Sequence, residues 1–258
     1  MSRGFVAFDI ETDGLFDDGA PPPPVVCAAT MCMVDQGQGA FHVDPPVSWC
    51  AGVESPSFMG ASHICELVDY LTDALETKRM RPLTWNGLGF DFRVLAAHLD
   101  EFPDHAAKVQ RLARAQIDPC FNFFMRRGFP VGLASVARAF GTVNKSGHGA
   151  DVAEAWAHGG ADGRRGVLRY CEQDVVVLAV VVSCAVQKGR ISWMTKSTPS
   201  RLAEWAPVNG TDITAPVCSA LTWPEPDNSW MDRRSATAPK KHGSRPTKKG
   251  FSGWLGEV

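Results

Sequence analysis

The chain has 258 residues, of which 45% are apolar, 21% charged and 9% aromatic, the balance of a globular protein rather than a disordered or fibrous one. Net charge is only −2, yet residues 1–104 hold 16 acidic against 5 basic residues while residues 105–258 hold 12 against 21, a split that points to a polyanion for the second half and a cation for the first. The longest apolar run, Val175 to Val186 with one serine inside it, is 12 residues, well short of the roughly 20 that span a bilayer.

Met1 to Gly4 leads almost at once to Asp9 and Glu11, with no room for the apolar region of a signal peptide, so we expect a cytoplasmic protein. Arg3 to Glu11 alternates around aromatic and β-branched residues, Val25 to Val34 is apolar after Pro21 to Pro24, and Ala40 to Val43 follows a Gly-Gln-Gly turn. Three adjacent strands forming a meander are predicted. Ile64, Leu67, Val68, Leu71 and Leu75 recur at helical spacing behind Ser62, a residue suited to an N-cap. A strand at Pro82 to Trp85 and a helix from about Phe90 to Leu99 come next. That order predicts an α/β fold, a mixed β-sheet flanked by helices. Residues 105–160 read as shorter helices, including Gly132 to Phe140, separated by the Gly-rich stretch 141–149. A long helix follows from about Arg164 to Gln187, and its second half is apolar on nearly every face, as in a buried core helix. Arg190 to Thr195 fits a last strand or an exposed arm. From Pro224 the composition turns to Pro, Ser, Lys and Arg, with seven basic and no acidic residues between Arg233 and Lys249. We therefore expect one domain over residues 1–200 and a C-terminal extension over 201–258, basic and flexible from about 224. The eight cysteines form no CxxC pair and read as reduced, mostly buried thiols.

Three segments concentrate acidic residues in apolar surroundings. Side chains alternate along a strand, so Asp9 and Glu11 in Phe8-Asp9-Ile10-Glu11-Thr12 share one face while Val6, Phe8 and Ile10 take the other. Two carboxylates side by side call for a cation, and a divalent metal with oxygen ligands suits them; taken alone, the pair fits a solvated strand end equally well. Asn86-Gly87-Leu88-Gly89-Phe90-Asp91 follows a strand, turns on two glycines and sets Asp91 at a helix start, where the helix dipole by itself is sufficient reason for an acid. In Tyr170-Cys171-Glu172-Gln173-Asp174 the tyrosine and the aspartate share a helix face at i and i+4. A surface hydrogen bond is the ordinary role of such a pair, but Asp174 opens the all-apolar run, where an isolated carboxylate is costly.

Together, "FDIET", "NGLGFD" and "YCEQD" resemble the three motifs of the DEDD (DnaQ-like) superfamily of 3′→5′ exonucleases, whose fold is ribonuclease H-like. The tyrosine four residues before the last aspartate resembles the tyrosine-bearing (DEDDy) branch. Lys145-Ser146-Gly147 ahead of "YCEQDV" is similar in spacing to the exonuclease domain of family B DNA polymerases. The likeness covers residues 3–187; the insertion Phe16 to Pro24 and the C-terminal extension depart from it. It implies that Asp9, Glu11, Asp91 and Asp174 hold two divalent ions, Mg²⁺ or Mn²⁺, that Tyr170 orients the attacking water, and that Thr12, Asn86, Phe90 and Lys145 contact substrate. The activity implied is removal of nucleotides from the 3′ end of single-stranded or frayed DNA, the partner being nucleic acid and no membrane. An RNA-trimming exonuclease of the same fold, or a nucleic-acid-binding module with a vestigial site, are the alternatives. Lys145 in its Gly-rich loop fits a phosphate contact and a solvated lysine alike. Asp118, ahead of Pro119, reads as a turn or cap residue rather than a fifth ligand. No histidine shows ligand spacing, and Trp193 fits base stacking or packing.

Overall fold

The computed structural model describes residues 4–16, 20–37, 40–142, 151–196, 199–208, 210–226 and 247–255. Strands β1 (Gly4–Thr12), β2 (Val25–Gly37) and β3 (Ala40–Val43) form the predicted antiparallel meander, and β5 (Met80–Leu83) joins β1 in parallel, giving the order β3-β2-β1-β5. A strand absent from the sequence reading, β4 (Val47–Trp49), also pairs with β2. It is three residues long and preceded by two prolines, too short for period-two alternation to show.

Alternation along β1 and β2 gives the sheet two apolar faces. Val6, Phe8, Ile10, Val25 and Ala28 look to one side, where they pack with α1 (Ala61–Glu76), α2 (Asp91–Ala97), α3 (Pro103–Ala115) and part of α4 (Pro119–Arg127). Phe5, Ala7, Val26, Cys27 and Ala29 look to the other, covered by α6 (Val152–His158) and α7 (Gly160–Lys188). Helix α1 is capped at Gly60, and Ser62 lies inside the first turn, so the serine is not the N-cap. Its apolar stripe, rather than a cap, holds the helix in place.

The second half of α7 is apolar all round because two cores claim it. Val175, Leu178 and Val182 face the sheet, whereas Val177, Val181 and Ala185 face a second cluster built on α5 (Leu133–Phe140) and the hairpin β6 (Ile191–Met194) and β7 (Leu202–Trp205). Arg190 to Thr195 is therefore largely strand. Trp193 is 9% exposed and packs edge-on against Phe123 at 5.0 Å, a packing role. Among the described residues, no helix is long and apolar enough to cross a membrane. All eight cysteines are free, but only Cys27, Cys120 and Cys171 are fully buried, fewer than the composition led us to expect.

The described parts of the C-terminal extension pack on the rest of the chain. Ile213, Val217 and Ala220 are fully buried, Val217 lying in the short helix α8 (Val217–Ala220). Residues 247–255 form α9 (Lys248–Ser252) and a 3-10 turn, and they dock on the core. Phe251 stacks on Phe124 at 4.6 Å and meets Phe121 at 5.6 Å; Trp254 donates its indole N–H to the Leu88 carbonyl at 2.9 Å. The composition is polar overall, but Phe251, Trp254 and Leu255 join the core cluster. Arg233 to Arg245 lie outside the described residues. A Phe251→Ala chain should lose about 3 kcal/mol of unfolding free energy, the usual scale for emptying a buried phenylalanine site; urea denaturation checks this, and an unchanged midpoint would mean that the segment is not docked.

Candidate active site

Strand β1 carries Asp9 and Glu11 beyond the point where β5 stops pairing with it, since that ladder ends at Ala7 and Leu83. The next polar groups on that edge need other partners. Ile10 finds one in Asp91, whose Oδ1 accepts its backbone N–H at 3.0 Å. The first residue of α2 thus continues, with a side chain, the pairing that the strand leaves off.

Delivering Asp91 to that place is the work of the turn 84–90. Asn86 sits at φ 72°, in the left-handed region that asparagine tolerates better than most residues. A Cβ on Gly87 would run into the Thr84 side chain, and one on Gly89 would lie 2.7 Å from Asn86 Oδ1, so the glycines in this motif answer to close approach. Asp118 fixes the turn from behind: its carboxylate accepts N–H from Asn86 at 2.9 Å and Leu88 at 3.1 Å while also capping α4 through Phe121 N–H at 3.1 Å. It is a cap and a buttress, in line with its position before Pro119.

Helix α7 closes the site from the other side. Cys171 contacts the Asp9 carbonyl through its thiol at 3.7 Å, and ligand atoms of Asp9, Glu11 and Cys171 all lie within 4.8 Å of one another. One turn on, Asp174 is buried and close enough to Asp91 for its charge to be felt there. Tyr170 lies partly buried against the core on that helix. Asp9, Glu11, Asp91 and Asp174, from three distant segments, are thus brought into one neighbourhood.

The electrostatics follow from that crowding. Burial pushes the Asp91 carboxyl up to about 7, and the charges of Asp118 and Asp174 add to the rise, against the pull of the N–H groups of Ile10 and Asp91 itself. Burial likewise raises Asp118, and it raises the Cys171 thiol well above its ordinary value, with Cys27, Asp9 and Glu11 contributing. Cys171 therefore stays a thiol, and the anionic donors are oxygens. Clustered carboxylates of which one resists ionisation because it is buried beside like charges fit a hard divalent cation.

The expected substrate contacts fare unevenly. Thr12 donates its hydroxyl to the Gly14 carbonyl at 2.8 Å, Phe90 is partly buried in the core, and Asn86 shapes the turn. Lys145 lies outside the described residues. Sequence reasoning missed Cys171 as a neighbour of Asp9 and missed the docking of Phe251 and Trp254 behind the turn. The aromatic residues of Gly250-Phe251-Ser252-Gly253-Trp254-Leu255, set in a polar tail, were the available signal.

A family model of the RNase H superfamily matches residues 60–186, just under half of the chain. The fold is ribonuclease H-like. The match takes in Asp91, Tyr170 and Asp174 and begins after Asp9 and Glu11. Among solved structures, the ribonuclease H-like chain is similar to a family B DNA polymerase from the hyperthermophilic archaeon Pyrobaculum calidifontis, with 20% identity, a TM-score of 0.45, and coverage of 71% of this chain and 24% of the polymerase. It is also similar to exonuclease I, with 13% identity, a TM-score of 0.37, and coverage of 72% of this chain and 43% of that one. The chain thus spans less than half of either. A search of curated proteins finds no match.

One prediction concerns pH. Because the Asp91 carboxyl is raised from 3.8 to about 7 by folding, the metal-free folded chain holds a proton that the unfolded chain releases between those values. That contribution is full below about pH 4 and is lost as pH rises through 7, with a slope of up to about 1.4 kcal/mol per pH unit. In EDTA, wild-type stability should fall over that window relative to Asp91→Asn; parallel curves from chemical denaturation would contradict the assignment.

Proposed function

We propose that this chain is a metal-dependent 3′→5′ exonuclease of the tyrosine-bearing DEDD type, acting on the 3′ end of single-stranded or frayed DNA. The observation that carries the reading is the convergence of Asp9, Glu11, Asp91 and Asp174 at the end of β1, one of them made harder to ionise by burial and by its neighbours. These four residues would hold two divalent ions, Mg²⁺ or Mn²⁺. When bound, such ions supply a nucleophile at neutral pH and stabilise charge on a departing oxygen.

The chain's own residues account for the rest. Tyr170, one helical turn before Asp174, holds a water by its hydroxyl so that the oxygen faces the terminal phosphorus. Attack, in which the water gives up a proton to solvent, forms the new P–O bond and breaks the bond to the 3′ oxygen of the preceding nucleotide, which leaves with a proton from solvent; the product is a nucleoside 5′-monophosphate. Thr12 and Asn86 accept or donate hydrogen bonds at the terminal sugar and base, Phe90 offers an apolar edge, and Lys145 meets a phosphate. Asp118 touches no substrate; it keeps the Asn86 turn, and hence Asp91, in place.

The test is a digestion panel of 5′- and 3′-labelled DNA and RNA, single- and double-stranded, with Mg²⁺, Mn²⁺ or EDTA. We expect stepwise shortening from the 3′ end of single-stranded DNA that EDTA abolishes; no cleavage with either ion, or internal cleavage, would overturn the reading. Asp9→Ala, Asp91→Asn, which keeps an acceptor for the Ile10 N–H, and Asp174→Ala should each lower activity by at least about 1,000-fold without unfolding the chain, as removal of one of several repelling charges relieves the metal-free site. Tyr170→Phe should slow the chemical step by roughly 10–100-fold while Mn²⁺ affinity, read by calorimetry, stays near wild type. Equal loss of metal binding and rate would show that the tyrosine has another role.

A further inference from the structure

A second concave surface lies beyond the carboxylates. Between the turn after α4 and the strand β6 runs a groove of about 700 Å³ lined by Arg126, Arg127, Phe129, Ser135, Thr195 and Lys196, among others, with no acidic residue among the described residues of its lining. We propose that this groove takes the single-stranded nucleic acid behind the cleaved end, with Arg127 and Lys196 as its phosphate contacts. The inference rests on the exonuclease reading and extends it to how the strand is held.

Three observations carry it. The first is charge. Arg126 is committed, its guanidinium 3.0 Å from Asp212 and 3.8 Å from the Trp223 ring, whereas Arg127 and Lys196 are exposed on the two sides of the groove. Two cations with no acid between them among the described residues are the pattern that a chain of phosphates satisfies.

The second is the character of the floor. Phe129 is half-buried, its ring held by Phe123 at 5.2 Å and by Trp193 at 5.9 Å, both edge-on. A partly exposed aromatic side chain held by its neighbours in a groove that cations also line suits stacking with a base of any identity. Hydroxyls of Ser135 and Thr195 line the same walls. The Ser135 hydroxyl donates to the Met194 carbonyl at 2.7 Å, so the α5 wall and the β6 wall are tied together and the groove does not have to form on binding.

The third is a link, through shared packing, to the carboxylate site. Trp85, one residue before the Asn86 turn, donates its indole N–H to the Val131 carbonyl in the groove wall at 2.8 Å. Leu133, at the start of α5, packs into the same apolar cluster as Trp85 and Tyr170. The wall of the groove is therefore fixed to the side of the site that carries Tyr170.

The experiment measures binding of a fluorescent 20-residue single strand, as DNA and as RNA, to the full chain in EDTA, so that the result does not depend on cleavage. Arg127→Ala/Lys196→Ala should weaken binding roughly tenfold at 100 mM salt. The slope of log affinity against log salt should fall by about 1.4, two phosphates at about 0.7 each, and by the same amount for both sugars. Phe129→Ala should weaken binding with the salt slope unchanged, a split that loss of charge cannot produce. Lys78→Ala/Arg111→Ala, which removes the same charge from exposed partners of Asp73 and Glu76, is the control and should bind as wild type. Equal losses in the two double variants, an unchanged slope in the first, or no binding by the wild-type chain would each overturn the groove. Absence of cleavage in the digestion panel alongside intact, groove-dependent binding would instead overturn the exonuclease reading.

Discussion

The hydrogen bond from Ile10 N–H to the Asp91 carboxylate is the constraint on which the arrangement turns. Strand β5 pairs with β1 only as far as Ala7, and a buried N–H left over beyond that point would cost about as much as a lost hydrogen bond. A water or another strand residue would satisfy it. A carboxylate satisfies it too, but brings a charge into a place already bordered by Asp9 and Glu11. One bond therefore both seats α2 against the sheet and completes a cluster of acids.

Such a cluster is unfavourable until something cationic joins it, and the surrounding layers look built to withstand that. Asp118 grips the Asn86 turn through two backbone N–H groups, Gly87 and Gly89 let the turn close, and Phe251 with Trp254 pack behind it. Helix α7 is held between two apolar clusters, so Asp174 and Tyr170 sit on one of the most confined elements of the molecule. Rigid support of this kind keeps repelling groups from relaxing apart, which is what a preorganised site needs. The cost appears as the raised carboxyl of Asp91.

Much of this was legible in the chain itself. Period-two alternation placed Asp9 and Glu11 on one face of a strand and Val6, Phe8 and Ile10 on the other, and the structure keeps both sets. The all-apolar second half of α7 announced a helix buried on more than one side. Other parts could not be read. Strand β4 is too short for its pattern to show, and the cap of α1 is a glycine with no side chain to signal it. The nearness of Cys171 to Asp9 depends on how a helix crosses a strand 162 residues away in sequence, which no local pattern encodes. The docking of residues 247–255 was hidden because composition averages over a window and a few aromatic anchors outweigh a polar majority once a hydrophobic surface is there to receive them.

The central claim is that the acids at the end of β1 are a metal centre. A crystal soaked in Mn²⁺ and measured at an energy where manganese scatters anomalously tests it most directly. The account predicts two anomalous peaks bordered by the carboxylates of Asp9, Glu11, Asp91 and Asp174, with the Cys171 sulfur outside coordination distance. A site that stays dark at saturating Mn²⁺, or peaks bound elsewhere on the chain, would contradict it.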